Sequence, residues 1–224
     1  MPSSNSISVD VVSDVVCPWC YIGQKRLDKA VALLDGIDVG VRWRPFQLDP
    51  SIPTEGMDRK AYMLAKFGSE EKLREIHARI EAVGEAEGIE FDFGSIKRSP
   101  NTLDAHRVIR WAGAAGGDVQ GRLVRGIFRL YFEKGVDVGN HSVLTGAAAE
   151  AGMDASVTAA LLSTDADRDA VSTEVATASR MGISGVPCFL LESRYAVMGA
   201  QETAALTEAM TEVAGAKARG ELDG

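Results

Sequence analysis

Strand-like sequence is confined to the two ends of the chain. Residues 7–16 and 38–48 are rich in β-branched residues or alternate apolar and polar positions, and residues 186–191 and 194–198 are typical of a hairpin. Residues 57–180 give helical periodicity and no convincing strand. Neither β segment is large enough to be a domain by itself. We therefore expect one small sheet, completed by both ends of the chain, with a helical domain inserted between them.

The helical pattern divides into separate segments. The predicted helices cover residues 21–34, 69–87, 102–115 behind Asn101 as its cap, 118–134, 141–151, 154–163, 165–181 and 201–213. The tail from Ala216 to Gly224 is polar, and we expect it to be frayed. The fold class is therefore α/β. Residues 1–50 and 176–224 form the predicted sheet domain, and residues 51–175 form the helical domain.

Charge and composition exclude several classes of partner. The 224 residues include 24 Lys and Arg against 32 Asp and Glu, which gives a net charge of −8. A nucleic-acid-binding domain would carry a basic surface instead. No apolar run approaches the roughly 18 residues of a membrane helix, and the first six residues lack the features of a signal peptide. We expect a cytoplasmic protein with neither nucleic acid nor membrane as a partner, as a monomer or a homodimer.

Two of the three cysteines stand between the first strand and the first helix, in Cys17-Pro18-Trp19-Cys20. Pro is favoured at the first helical position, so Cys17 is predicted to be the N-cap. The free N–H groups and the helix dipole there favour the thiolate. We expect Cys17 to be an exposed nucleophile and Cys20, one turn inside the helix, to be a more buried resolving thiol. The predicted reaction is thiol–disulfide exchange through a mixed disulfide on Cys17.

Two other interpretations of this cysteine pair remain open. One is a zinc half-site, which would need two further ligands. The remaining candidates are Cys188, His77, His106 and His141, and none of them forms a second closely spaced pair. The other is an inert pair. We expect no metal.

Val186-Pro187 introduces the late strand. Proline at the start of a strand is compatible with an ordinary trans bond, whereas a cis bond beside the active site would be the functional alternative. Cys188 follows directly. It is either a small buried hydrophobic residue that starts the strand or a redox-sensitive third thiol. Asp14, three residues before Cys17, is expected to end the first strand, the alternative being a role in proton movement.

The sequence resembles the DsbA family of thioredoxin-fold oxidoreductases, in particular its FrnE-like branch. The similar segments are Ser13-Asp14-Val15-Val16-Cys17-Pro18-Trp19-Cys20-Tyr21-Ile22-Gly23, Trp43-Arg44-Pro45-Phe46-Gln47-Leu48, Pro100-Asn101-Thr102-Leu103-Asp104-Ala105-His106-Arg107, Gly182-Ile183-Ser184-Gly185-Val186-Pro187 and Tyr195-Ala196-Val197-Met198-Gly199-Ala200-Gln201. The resemblance implies a thioredoxin fold with an inserted helical domain. It also implies a cis Pro187 packed against the cysteine pair, with the backbone of Val186 open to an extended substrate.

The resemblance extends to substrate-binding residues and partners. Pro18 and Trp19 belong to the motif, and Trp19 is expected to be partly exposed. Asn101 and His106 begin a helix that lies near the pocket in the FrnE-like pattern. The implied substrates are disulfides or thiols of proteins or small molecules. No metal or organic cofactor is implied, and glutathione could serve as the electron partner.

Two alternative functions use the same architecture. A glutathione-dependent isomerase or transferase, of the 2-hydroxychromene-2-carboxylate isomerase or kappa type, has a serine in the family pattern where this chain has Cys17. The second cysteine argues against this class. The other alternative is a peptide-binding protein or chaperone that uses the helical domain as a groove.

Overall fold

A computed structural model describes residues 6–222. The main sheet has the strand order β2-β1-β5-β6. Its strands are β1 (Ser6–Ser13), β2 (Asp38–Pro45), β5 (Cys188–Leu191) and β6 (Tyr195–Met198). β1 runs parallel to β2 and antiparallel to β5, and β5 pairs antiparallel with β6. The two ends of the chain thus complete one sheet, as the sequence predicted. β1 ends at Ser13, three residues earlier than predicted.

The helices fill the interval between the sheet segments and follow the last strand. They are α1 (Pro18–Ala32), α2 (Arg59–Phe67), α3 (Glu70–Ala86), α4 (Leu103–Ala114), α5 (Val119–Phe132), α6 (His141–Ala151), α7 (Ala155–Leu162), α8 (Arg168–Arg180) and α9 (Thr203–Ala218). The predicted N-terminal residue of α4 is off by one, because Thr102 is the N-cap. Asn101 still satisfies the first helical N–H, since its Oδ1 accepts a hydrogen bond from Leu103 N at 2.9 Å.

The prediction of no strand between residues 57 and 180 is wrong. Two short strands, β3 (Met57–Asp58) and β4 (Arg98–Ser99), pair antiparallel inside the helical region. Two-residue strands are too short to show an alternating pattern, so their pairing depends on the surrounding packing. The β3–β4 pairing continues one residue further, because the backbone N–H of Arg59 donates to Lys97 O at 3.0 Å.

The C-terminal tail is more ordered than predicted. The last helix continues to Ala218, five residues past the predicted end, and Leu222 is buried against the main core. The apolar contact of Leu222 therefore packs the end of the predicted polar tail against the core. Residues 1–5, where we predicted no signal peptide, and residues 223–224 lie outside the described part of the chain.

The sheet is covered on both faces. Val9 and Val11 of β1 belong to the large core, whereas Val12 joins a smaller cluster with Cys188 and with Ala178 of α8. This division follows from the alternation of side chains along a strand. The domain boundary that we predicted at residue 175 falls inside α8. Among the helices of residues 6–222, none combines the length and apolar character needed to cross a membrane.

Candidate active site

The cysteine pair lies at the start of α1. Cys17 is the N-cap, with φ −92° and ψ 113°, and Pro18 is the first helical residue. The N–H of Cys17 donates to Asp14 O, and the N–H of Cys20 donates to Cys17 O, both at 3.0 Å. The local geometry predicted from the motif is thus present. It places the sulfur of Cys17 beside the N-terminal end of the helix.

Both thiols are buried, and neither forms a disulfide in this structure. Cys20 is 1% exposed, as expected, but Cys17 is 4% exposed, so the prediction of an exposed Cys17 is wrong. The reason is long-range. The loop before β5 covers the thiol, and Cys17 Sγ donates to Val186 O at 3.6 Å. The pKa of Cys20 is raised, first by burial and then by the neighbouring Cys17 thiol.

The Val186–Pro187 bond is cis, as the family resemblance implied. Pro187 is buried and lies against α1 at Gly23, where a Cβ atom would meet Pro187 Cγ at 2.9 Å. Cys188 is fully buried and starts β5. It belongs to the smaller apolar cluster rather than to the core that contains Cys17 and Cys20, and burial raises the pKa of its thiol. Its position matches that of a structural hydrophobic residue.

A cavity of about 360 Å³ opens beside Cys17. It extends from the start of α1 to the first part of the inserted region, and its lining is largely apolar. Its lining residues are Asp14, Val16, Cys17, Pro18, Trp19, Leu48, Asp49, Ile52, Arg59, Tyr62, Met63, Lys66, Phe67, Ile76, His77, Ile80, Phe93, Ser99, Pro100, Thr102, Tyr131, Gly185 and Val186. Three of the predicted substrate-binding residues, Pro18, Trp19 and Val186, are among them. Trp19 is half-buried.

The other predicted substrate-binding residues do not line this cavity. Pro187 lies behind Val186, against α1. The side chain of Asn101 is occupied within the protein, because its Nδ2 donates to Ile52 O at 2.6 Å and its Oδ1 accepts from Gln47 and Leu103. His106 is 3% exposed.

His106 instead faces Asp14, in a buried pair that the sequence analysis missed. His106 Nε2 lies 3.5 Å from Asp14 Oδ1, and Asp14 is 1% exposed. Asp14 follows directly after β1, as predicted, and its Oδ2 accepts a hydrogen bond from Leu48 N at 2.8 Å. The negative charge of Asp14 contributes to the raised pKa of Cys20. The sequence signal was a carboxylate three positions before Cys17.

The cavity wall formed by the inserted region carries three polar side chains, Arg59, His77 and Ser99, that no sequence motif indicated. Arg59 begins α2 and donates from Nη1 to the hydroxyl of Tyr131 at 2.9 Å. His77 stacks on Phe93 with 4.1 Å between ring centroids, and its pKa is lowered by burial and by the charge of Arg59. Ser99 is 3% exposed. Within residues 6–222, no group of three His, Cys, Asp or Glu side chains is placed to hold a metal ion.

Comparison with known proteins agrees with this architecture. A probable DsbA oxidoreductase from Streptomyces coelicolor is 31% identical, with a TM-score of 0.82 over 93% of this chain and 90% of the other. The Bacillus subtilis protein YwbO is 27% identical over 83% of this chain and 87% of its own length. The cytosolic disulfide reductase DsbM from Pseudomonas aeruginosa, solved with GSH, shares the fold at 17% identity and a TM-score of 0.58, over 93% of this chain and 96% of that one. The family model of the DSBA-like thioredoxin domain matches residues 8–211, and the chain therefore belongs to this family.

Proposed function

We propose that the protein is a thiol–disulfide oxidoreductase in which Cys17 attacks and Cys20 resolves. The observation that carries the proposal is the position of Cys17 at the N-cap of α1, on the wall of a cavity, with Cys20 one turn further inside. The substrates are disulfides or thiols of proteins or small molecules, and glutathione is the proposed electron partner. We assign no metal and no organic cofactor to the reaction.

The exchange proceeds in two steps. The Cys17 thiolate attacks one sulfur of the substrate disulfide, and the other sulfur leaves as a thiolate. Cys20 then loses its proton and attacks Cys17 Sγ, which releases the second substrate thiol and leaves a Cys17–Cys20 disulfide. The substrate has gained two electrons and the cysteine pair has lost two. The reverse sequence oxidises a substrate dithiol.

The surroundings of the pair suggest how the steps are controlled. The carbonyl of Val186 accepts the thiol of Cys17 at 3.6 Å, so an arriving substrate takes the place of this contact. The raised pKa of Cys20 keeps the resolving sulfur protonated until the mixed disulfide has formed. In the proposal, Pro18, Trp19 and the backbone of Val186 position the substrate, and Pro187 shapes the loop behind them.

The test is equilibration in glutathione buffers with mass-spectrometric counting of thiols. We expect one reversible transition of two thiols, at about −270 mV for a reductase and at about −120 mV for an oxidant. Cys17→Ser and Cys20→Ser should each abolish it, and Cys20→Ser should accumulate one glutathione on Cys17. Cys188→Ala, in the separate cluster, is the matched control and should retain the transition. Failure to form a Cys17–Cys20 disulfide at any poise would refute the proposal.

An isomerase or transferase that uses glutathione is the second candidate. The largely apolar cavity favours it, because about 360 Å³ lies within the range of small-molecule sites. The discriminating observation is conversion of 2-hydroxychromene-2-carboxylate by the Cys20→Ser variant, since this reaction needs no second thiol. Absence of conversion by both wild type and variant would leave the oxidoreductase proposal in place.

A cytoplasmic setting also belongs to the proposal. It was expected from the sequence, and a cytosolic enzyme, DsbM, shares the fold. Fractionation of cells, with a thiol count of the cysteine pair in each fraction, would test both the location and the redox state. The choice between monomer and homodimer stays a prediction and is measurable by light scattering.

A further inference from the structure

One cation in the cavity wall, Arg59, forms no ion pair with any carboxylate of residues 6–222. The side chain of Arg59 is buried, with 8% of the residue exposed. Its guanidinium donates to Tyr131 Oη at 2.9 Å and lies over the Tyr131 ring, 5.6 Å from the centroid. Among the described residues, no carboxylate forms an ion pair with Arg59.

The other buried arginines of the described chain are compensated. Arg107, which is fully buried, pairs with Asp104 at 2.9 Å and donates to three backbone carbonyls. Arg26, which is 7% exposed, pairs with Glu87 and with Glu202. A buried charge without a partner is costly, because desolvation is not offset by a counter-charge. The burial of the Arg59 guanidinium without a paired carboxylate therefore needs an explanation.

Two further polar atoms in the same cavity lack partners. Ser99 Oγ and His77 Nε2 are both buried and make no hydrogen bond in the described structure. Ser99 is 3% exposed and lies in β4, next to the start of α2. A hydroxyl can donate to an anion, and a neutral imidazole can offer an N–H in the tautomer with Nε2 protonated. These groups add two potential donors to the wall that holds Arg59.

The remaining charges of the cavity do not neutralise this group. Asp14 Oδ2 accepts from Leu48 N, whereas Asp14 Oδ1 has no hydrogen-bond partner among the described residues and lies 3.5 Å from His106 Nε2. Asp49 is half-buried and accepts from Ser51. Lys66 is exposed, and its Nζ donates to the Tyr62 hydroxyl. The buried part of the cavity thus combines an apolar wall, the Arg59 guanidinium without an ion pair, a cysteine thiol and the carboxyl of Asp14 on the side of Cys17.

We infer that the cavity binds a low-molecular-weight disulfide whose apolar body carries a carboxylate, and that Arg59 is the residue that selects it. This inference rests on the proposed function. The carboxylate accepts hydrogen bonds from the Arg59 guanidinium and from Ser99, while the apolar body lies along the cavity wall. Cys17 attacks the disulfide, one carboxylate-bearing thiolate leaves, and Cys20 then releases the second and forms the intramolecular disulfide.

The test uses reduced protein and two probes that differ only in charge. These are para-dithiobis(benzoic acid) and its uncharged diamide, whose leaving thiols are similar, and the readout is the second-order rate of thiol release. The protein carries a net charge of −8, which disfavours the approach of an anion. We nevertheless expect the wild type to react faster with the acid than with the diamide.

Variants at Arg59 separate charge from shape. Arg59→Met should reduce the rate with the acid by about ten- to a hundredfold, the range of a lost charge-assisted hydrogen bond, and leave the rate with the diamide within about twofold. Arg59→Lys should restore part of the preference. Arg42→Met is the control for net charge. Arg42 lies on the edge strand β2, pairs with Asp10 of β1 and lines no part of this cavity.

Three results would overturn the inference. One is a wild type that prefers the diamide. Another is an Arg59→Met variant that retains the preference for the acid. The last is an equal loss toward both probes, which would assign Arg59 a structural role. In all three cases the Cys17–Cys20 disulfide still forms and the proposed function stands. If neither probe oxidises the wild-type pair but glutathione buffers do, the inference fails and the proposed function stands; if glutathione buffers also fail, both fail.

Discussion

Substitution of Gly23 by alanine tests how closely α1 and the loop before β5 are packed. A Cβ atom at this position would lie 2.9 Å from Pro187 Cγ and 3.2 Å from Phe189 Cζ. Both neighbours are buried ring atoms, so the added methyl group cannot be accommodated by the rotation of a flexible side chain. Overpacking of this kind costs about 1–3 kcal/mol. Alanine also gains about 1 kcal/mol of helix propensity over glycine. The net loss of stability should therefore be about 0–2 kcal/mol.

A second helical glycine supplies the control. Gly126 lies inside α5, and a Cβ atom there would have no neighbour within 4 Å. Gly126→Ala should therefore show only the propensity term and stabilise the protein by about 1 kcal/mol. The two variants should differ by about 1–3 kcal/mol, which is the cost of the contact with Pro187 and Phe189.

Urea unfolding of both variants, followed by circular dichroism, measures this difference directly. The Gly23→Ala variant should also alkylate faster at Cys17, because a displaced Pro187 carries with it the carbonyl of Val186 that covers the thiol. If Gly23→Ala is as stable as Gly126→Ala, the close approach of the loop to α1 is not a constraint and the reasoning is wrong.

Two carboxylates give further predictions. Asp104→Asn should cost about 3 kcal/mol at neutral pH, because it removes the charge that two cationic side chains, the buried Arg107 and the half-buried Arg168, share. Burial raises the pKa of Asp104, but hydrogen bonds from His141 and Arg107, together with the charges of Arg168 and Arg107, outweigh burial, so the net pKa is lowered. The loss of stability should therefore be complete above the ordinary carboxyl pKa and should shrink as the pH falls through the lowered pKa of Asp104. Urea unfolding at several pH values measures this loss. Asp14→Asn removes a charge that contributes to the raised pKa of Cys20. The pH profile of mixed-disulfide resolution should then move to lower pH in stopped-flow experiments, and an unchanged or opposite profile would contradict this electrostatic link.

The sequence predicted those parts of the site that depend on local rules. The N-cap position of Cys17 follows from Pro18 and the helical pattern after it, and the late hairpin follows from two short apolar runs. Its turn residues, Glu192 and Ser193, have φ values of 51° and 54°, which suit the twist of a tight hairpin. Local patterns of this kind are visible without any knowledge of tertiary packing.

The burial of Cys17 and the polar wall of the cavity could not be predicted in this way. Cys17 is covered by Val186, 169 residues further along the chain. Arg59, His77 and Ser99 come from separate parts of the inserted region and share no motif. Their proximity arises from how α2, α3 and the small β3–β4 pair fold over the start of α1. No spacing rule in one sequence records such a contact.

The strand order β2-β1-β5-β6 has a consequence for the growing polypeptide. β1 occupies an interior position, so one of its edges stays without a neighbour until β5 has been synthesised. At roughly 5–20 residues per second, the 169 residues between Cys17 and Val186 take about 8–34 s to make. During that interval the nascent chain presents a reactive thiol and a bare strand edge to its surroundings. Completion of the active site and protection of the chain from premature cross-linking or aggregation therefore both wait for the same late step, the pairing of β5 with β1.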